Sequence, residues 1–554
     1  MKKAMIFAAG LGTRLAPLTS DRPKALVELN GRALLWHVVE RLADEGFTDL
    51  TVNVHHFAQQ IKDYVAGGPF ADYASSRGIR IAISDESDDL LDTGGGLRKA
   101  TPQLFAHNDE PVLIHNVDIL SNAKLSELYN AVRQNSALLL VSQRETTRYL
   151  LFNDDMRLVG WQNIQTGEVR TPYPDLNPDL CKRLAFSGIH VATKRLVEAM
   201  DRWPDKFGII DFYIQNCRDF AICGYEQTDL QLTDIGKIDV LRKLEAPRQN
   251  LISLIIPVHN RREMLPRLFS SIRRIEGCEV ELLLVDNNCD PDTRADLQTF
   301  TNKLNTTKPH LNTRLLTEPY PSAAAARNRG LYNARGEYVY FFDSDDEFSP
   351  QMLTDALALA KAEGADAIGV QVKYVWPDSR TKARHMRRTS SPACHIAANN
   401  FATVSLFLRR TFVQQHGRWN DNLRYWDDQE WALRLLLAKP KMAWLNQTYH
   451  QIHIHTNSIT GSRFADSADK IIAAHSAMER DIRREELGVR TNLRALNCRK
   501  ALYAGRVKHE GDNKAAHLIY NSIDRSVCTF IDRVKLPLLY RLSGWGVRGL
   551  YRLA

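Results

Sequence analysis

At 554 residues the chain is too long for one hydrophobic core, because single domains run to about 100–200 residues and larger α/β domains to about 250. An apolar fraction of 44% and a charged fraction of 25% exclude a chain dominated by disorder, and no apolar run approaches the roughly 18 residues of a membrane-spanning helix. A net charge of +8 admits nucleic acid, anionic lipid or phosphorylated small molecules as partners, or a mildly basic solvated surface, and no nucleic-acid-binding motif accompanies it.

The start, MKKAMIFAAG, is basic and then apolar, but glycine and Arg14 break the run too soon for a signal peptide. The eight cysteines form no C-x-x-C pair and read as buried thiols in a reducing compartment. These features predict a cytoplasmic protein with no integral membrane segment.

Strand-like runs (AMIFAAG, LTVNVH, IRIAISDE, PVLIHNVDIL, SALLLVSQ) then alternate with amphipathic helices such as LLWHVVERLADEG. Such alternation predicts a largely parallel, doubly wound sheet. The first turn, from Ala8 to Gly31, holds Gly10 and Gly12 just past the first strand, where parallel sheets bind ligands and glycines let backbone amides approach a phosphate. Arg14 and Lys24 flank it, two cations suited to neutralising a triphosphate and its departing pyrophosphate. Taken singly, each is an ordinary surface residue.

The string G-x-G-T-R-x-x-P-L-T-x-x-x-P-K, matched by Gly10 to Lys24, resembles the signature of sugar-1-phosphate nucleotidylyltransferases. Further similarity lies in LLDTGGGLRKA (Leu90 to Ala100), HNVDI (His115 to Ile119), FSGIHV (Phe186 to Val191) and LTDIGKIDVL (Leu232 to Leu241). The resemblance implies attack of a sugar-phosphate oxygen on the α-phosphorus of a nucleoside triphosphate. It implies Asp118 and Asp234 as ligands of Mg²⁺, Arg14 on the pyrophosphate and Lys24 on the incoming phosphate. Ala9, Gly10, Gly12, Thr13, Gly94 and Gly95 would bind the nucleotide. Val117 stands where a glycine is usual and Lys237 where a small hydroxyl residue is usual, and neither removes a carboxylate. The compact spacing is most similar to N-acetylmuramate-1-phosphate uridylyltransferases and to mannose or heptose guanylyltransferases.

LRKLEAPRQN (Leu241 to Asn250), charged and proline-containing, reads as a linker, and the alternation restarts at LISLIIPV. The expected layout is a first domain over 1–245, a second over 251–464 and a helical region over 465–554. EYVYFFDSDDEFSP (Glu337 to Pro350) places Asp343 and Asp345 at a strand end, where both could reach a divalent ion on a diphosphate. Read alone, the same acids could cap the helix after Pro350.

The ordered set IIPVHNR, LLLVDNNCD, AAAARNRGLYNARGEY and FFDSDD resembles family 2 glycosyltransferases, so the whole chain is expected to hold two Rossmann-like (nucleotidyltransferase and GT-A type) domains in tandem. By that resemblance Pro257, His259 and Asn260 border a nucleoside, Asp286 meets base or ribose, and Arg327 lies near the diphosphate. Asp343, Asp345 and His455 hold Mg²⁺ or Mn²⁺. WDDQEWALRLL (Trp426 to Leu436) resembles the family's catalytic helix start, which makes Asp428 the general base of an inverting transfer.

The implied function is bifunctional. The first domain makes a nucleotide sugar from a nucleoside triphosphate and a sugar 1-phosphate, and the second transfers a sugar to a glycan or lipid-linked acceptor for the cell surface. The alternative keeps one domain as a nucleotide-sugar-binding scaffold or sensor. The last thirty residues hold five arginines and one lysine against one aspartate, interleaved with Leu, Trp, Tyr and Val. Such a tail fits a peripheral contact with the inner membrane face. A helix capping the second domain or meeting a partner fits it equally.

Overall fold

The structure, a computed structural model, describes residues 2–376, 378, 380–384, 386–454, 463–547, 549, 550 and 553. The chain divides into two compact units, Met1–Ala246 and Pro247–Ala554, so the helices after 465 belong to the second.

In the first unit, near-continuous apolar runs form strands, those at the centre of the sheet buried on both faces. They are β1 (Lys2–Phe7), β2 (Phe47–Val54), β3 (Arg80–Asp85), β4 (Val112–Asn116), β6 (Ala137–Ser142), β7 (Lys182–Ala192) and β8 (Ile222–Glu226). Their order across the sheet is β3-β2-β1-β4-β7-β6-β8. All run parallel except β7, which lies antiparallel between β4 and β6. Two short strands, β5 (Ile119–Ser121) and β9 (Leu232–Asp234), pair antiparallel beside the main sheet. Helix α1 (Leu34–Asp44) buries Leu35, Val38, Val39 and Leu42. Helix α2 (Asp92–Lys99) carries the three glycines, and α3 (Ile238–Glu245) closes the unit.

The second unit repeats this plan strand for strand. Its strands β10 (Arg248–Val258), β11 (Val280–Asp286), β12 (Thr313–Thr317), β13 (Gly336–Phe341), β14 (Ala367–Val375), β15 (Leu406–Arg409) and β16 (Met442–His453) stand in the order β12-β11-β10-β13-β15-β14-β16. Of these seven, β15 alone, fifth across the sheet as β7 is, runs antiparallel. The expected largely parallel sheet therefore carries a reversed strand at the same place in each unit, with further reversed strands toward its edge (Leu158–Asn163 in the first unit, Thr381–Arg384 in the second). In both units the chain leaves the first strand in opposite directions toward its two neighbours. The carboxyl ends of β1 and β4, and of β10 and β13, thus flank a topological switch point, where open α/β sheets bind ligands.

Helix α4 (Ala323–Asn333) packs on β10 and β11, and α5 (Asp427–Leu437) brings the second acidic pair. After them α6 (Ala468–Arg483), α7 (Val489–His509), α8 (Asn513–Asn521) and α9 (Phe530–Gly544) form a helical layer. No helix among the described residues is long and apolar enough to cross a membrane, and the eight cysteines are free thiols.

Candidate active sites

At the switch point of the first unit the chain leaves β1 through Ala8 to Gly12. Gly12 has φ +68°, and a Cβ there would come within 2.9 Å of Thr19, so glycine is required for both backbone angle and space. Ala9 is buried under this turn, while Gly10 and Thr13 lie at its surface. The turn is held from beneath: the Ala8 amide donates to Asn53 Oδ1 at 2.7 Å, and Asn53 Nδ2 donates to Glu86 Oε1 at 2.7 Å. Glu86 is fully buried, and burial raises its pKa despite the hydrogen bond from Asn53.

Asp118 follows β4 and Asp234 ends β9. The pairing of β9 with β5 sets Asp234 opposite Ile119, and the Ile235 amide donates to the Asp118 carbonyl at 2.9 Å. The two carboxylates are thereby brought to one place from strands far apart in sequence. Arg14 reaches both, 3.9 Å from Asp118 Oδ2 and 3.6 Å from Asp234 Oδ2, and Lys24 Nζ pairs with Asp118. A Cβ on Gly236 would stand 2.8 Å from Arg14 Nη2, Asp118 Oδ2 and Asp234 Oδ1 alike. This small cradle between two carboxylates suits a hard cation, and the adjoining arginine and lysine suit phosphate oxygens.

Gly94 and Gly95 are buried, and their missing side chains are used in packing. A Cβ would lie 2.2 Å from the Phe207 ring at Gly94 and 2.2 Å from the Asp205 carbonyl at Gly95. Val117 is buried in the core, away from the charged cluster, so the unusual residue between Asn116 and Asp118 leaves the carboxylate in place.

The second unit has a cavity of about 540 Å³ at its switch point. Pro257 lines it from the end of β10 and His259 just after it, Asp343 and Asp345 after β13, and Arg327 from α4. Asp427 and Asp428 enter from the first turn of α5. Arg327 is buried between two carboxylates, donating to Asp343 Oδ1 at 2.8 Å and Asp427 Oδ2 at 2.9 Å, with its guanidinium 4.3 Å from the Trp419 ring. Asp345 pairs with Arg261. Asp346, buried beside them, accepts from the His453 amide at 2.9 Å. Burial, then the neighbouring carboxylates, pushes Asp346 well above the usual range, and burial outweighs Arg327 in raising Asp343. Burial and the charge of Asp427 push Asp428 up to about 6.

Asp428 is aimed by a strained start to α5. Trp426 sits at φ +56°, an unfavourable angle for a bulky residue, and its ring is held 4.4 Å from Tyr503 and 4.3 Å from the guanidinium of Arg499, both on α7. Phe464 and Tyr503 also line the catalytic cavity, so the helical layer supplies part of its wall.

Not every residue singled out by sequence reaches this cavity. Asp286 is buried, accepting from Arg294 Nε at 2.6 Å and from the Cys289 amide at 2.8 Å, and Asn260 accepts from the Asp290 amide at 2.8 Å. Neither lines the cavity. His455 lies outside the described residues. Residues that sequence reading passed over are Arg261, Asp346, Trp426 and His453. The Asn260-Arg261 pair, both in the left-handed region, carried a signal in the polar turn HNRR. Among the described residues, no three His, Cys, Asp or Glu side chains group closely enough to enclose a metal by themselves.

Comparison with known proteins matches residues 3–151 to the nucleotidyl transferase model and 253–420 to the glycosyl transferase family 2 model. The chain is similar to N-acetylmuramate alpha-1-phosphate uridylyltransferase of Caulobacter vibrioides, with 39% identity over 40% of this chain and 87% of that protein. It is also similar to mannose-1-phosphate guanyltransferase of Neurospora crassa, with 33% identity over 26% of this chain and 39% of that protein. Among solved structures, HddC from Yersinia pseudotuberculosis complexed with GMP-PN aligns at 20% identity and TM-score 0.35, over 44% of this chain and 98% of that one. S. aureus TarS 1-349 in complex with UDP-GlcNAc aligns at 17% identity and TM-score 0.42, over 55% and 91%.

Proposed function

The chain belongs to the nucleotidyl transferase family through its first unit and joins to it a glycosyl transferase family 2 domain, and from that premise we propose that the two clusters are two active sites with separate duties. In the first, a nucleoside triphosphate lies over the Ala8 to Gly12 turn, its phosphates toward Arg14 and Lys24. The observation that carries this reading is the convergence of Arg14, Lys24, Asp118 and Asp234 around Gly236.

Members of both families generally use divalent metal ions, and Mg²⁺ gripped by one or two carboxylates and completed by phosphate oxygens fits the two-carboxylate cradle. Asp118 and Asp234 would hold it in the first unit. Asp343 and Asp345 would hold Mg²⁺ or Mn²⁺ in the second. Bound there, the ion would supply neutralisation of phosphate charge. Lys24 is placed to steady the phosphate of a sugar 1-phosphate, and Arg14 the departing pyrophosphate. Uridine is the nucleoside, and an N-acetylated hexose 1-phosphate the sugar class, that the first relative's activity favours.

In the second unit His259 and Pro257 border the nucleoside of a nucleotide sugar. Asp428 takes the proton of an acceptor hydroxyl as that oxygen attacks the anomeric carbon and the bond from that carbon to the nucleoside diphosphate breaks, releasing the diphosphate, with inversion. Its carboxyl, raised to about 6, is ionised at neutral pH yet closer to the pKa of a working base than an ordinary aspartate. The acceptor is a cell-surface glycan intermediate, and the protein works in the cytoplasm. The test is incubation of the full chain with Mg²⁺, each nucleoside triphosphate and a panel of sugar 1-phosphates, with products read by mass. A uridine diphosphate sugar is the expected product, and pyrophosphate release with no substrate pair would leave the first unit a binding scaffold.

A further inference from the structure

The sequence FIDRVKLPLLYRLSGW forms a helix with two unlike sides. A capping box starts α9: the Thr529 hydroxyl accepts from the Asp532 amide, and Asp532 accepts from the Thr529 amide. Asp532 also accepts from Arg494 Nε at 2.6 Å, which ties the start of α9 to α7. Leu536, Leu539 and Ser543 are buried against that helix, and a Cβ on Gly505 would come within 2.5 Å of the Tyr540 carbonyl, so the two backbones are in close approach. The inner side is therefore fixed.

The outer side is apolar and bare. Phe530 is 82% exposed, Ile531 71%, Val534 61%, Leu538 51% and Trp545 74%. Their spacing puts the first four on one stripe of the helix, and Trp545 caps its end. Apolar residues scattered singly on a surface need no partner, but a contiguous stripe marks an interaction surface. Arg533 and Arg541 are exposed on the same helix, and residues 525–554 carry five arginines and one lysine against one aspartate.

We propose that α9 docks this stripe in the plane of an anionic lipid bilayer, with Phe530 and Trp545 at the acyl boundary and its arginines on lipid phosphates. Charge decides among occupants. A second copy of the chain would bring two strongly basic tails face to face, whereas anionic headgroups complement them. The inner surroundings of the helix point the same way. Ser543, Val547 and Leu550 wall a cavity of about 280 Å³ that also holds Arg499 and Arg506. Buried Arg499 keeps Nε and Nη2 without hydrogen bonds. That cavity shares Asn399, Phe464 and Tyr503 with the cavity of Asp428, so the two cavities have a common wall beside the transfer site. Docking thus deepens the glycosyl-transfer reading by bringing an anionic, lipid-linked acceptor to Asp428. The docking itself needs no substrate, so its failure and the failure of that reading are distinguishable.

The test is co-sedimentation of the full chain with phosphatidylcholine vesicles containing about a third phosphatidylglycerol, against phosphatidylcholine alone. Binding to the anionic vesicles is expected, falling as salt is raised. Val534→Glu with Leu538→Glu should lower it roughly tenfold or more, and Arg533→Gln and Arg541→Gln roughly fivefold each. Vesicles should also blue-shift an emission component that Trp545→Phe removes. These positions are exposed, so an unchanged unfolding temperature shows that the variants fold. No binding by the unaltered chain, binding unaffected by the glutamates, or a dimer that Val534→Glu dissociates would overturn the proposal.

Discussion

The two sites share one strand plan and differ in charge balance. In the first unit two cations, Arg14 and Lys24, meet two carboxylates, Asp118 and Asp234. In the second, Asp343, Asp345, Asp346, Asp427 and Asp428 line one cavity and, among the described residues, Arg261 and Arg327 are the permanent cations lining it. In the second cluster burial, with mutual repulsion, moves Asp343, Asp346 and Asp428 upward. One topology therefore supports two electrostatic regimes, and the second should depend more steeply on protons and metal.

The sharpest way to break this comparison is to disable one half at a time. Asp428→Asn should cost about a hundredfold to ten-thousandfold in sugar transfer and leave pyrophosphate release unchanged. Asp118→Ala should do the reverse, by roughly a thousandfold. Coupled losses in both assays would show that the units are not independent. Next in size is Arg327→Gln, which strips a buried guanidinium from between Asp343 and Asp427 and should cost the second unit about 3–5 kcal/mol in denaturant unfolding, with the first unit unaffected. Gly236→Ala should lower nucleotidyl transfer roughly a hundredfold without altering thermal stability, because its methyl would occupy the cradle between the carboxylates.

The smallest effect sharpens the contrast in pH. Asp428 is a base only when ionised, so sugar transfer should fall about tenfold per unit as pH drops below about 6. A carboxyl with a raised folded pKa stabilises the fold as pH falls from about 6 toward its ordinary value of 3.8, so the lost rate is not unfolding at this group. Nucleotidyl transfer, without Asp428, should lack this acid limb.

Much of this was legible in the sequence because it is local. The glycine turn, the Arg14 to Lys24 spacing and the restart of strand alternation at Leu251 are patterns over a few residues, and the carboxylates follow from their place at strand ends. What escaped reading is long-range. Nothing near Asp286 shows that Arg294, in the first turn of the next helix (Pro291–Thr307), claims its carboxylate. Gly94 and Gly95 read as a ligand-contacting run, yet Phe207 and Asp205 fill the space beside them from more than a hundred residues away. The helices after residue 465 look like an appendage in sequence, whereas Tyr503 walls the catalytic cavity and Arg499 stacks on Trp426, the residue that starts the helix of Asp428.

The most direct measurement is anomalous diffraction from crystals of the full chain grown with Mn²⁺, a nucleoside triphosphate and uridine diphosphate. The account predicts one manganese peak between Asp118 and Asp234 and another beside Asp343 and Asp345, each touching phosphate oxygens. Ordered nucleotide in both units with no manganese at either carboxylate pair would contradict it.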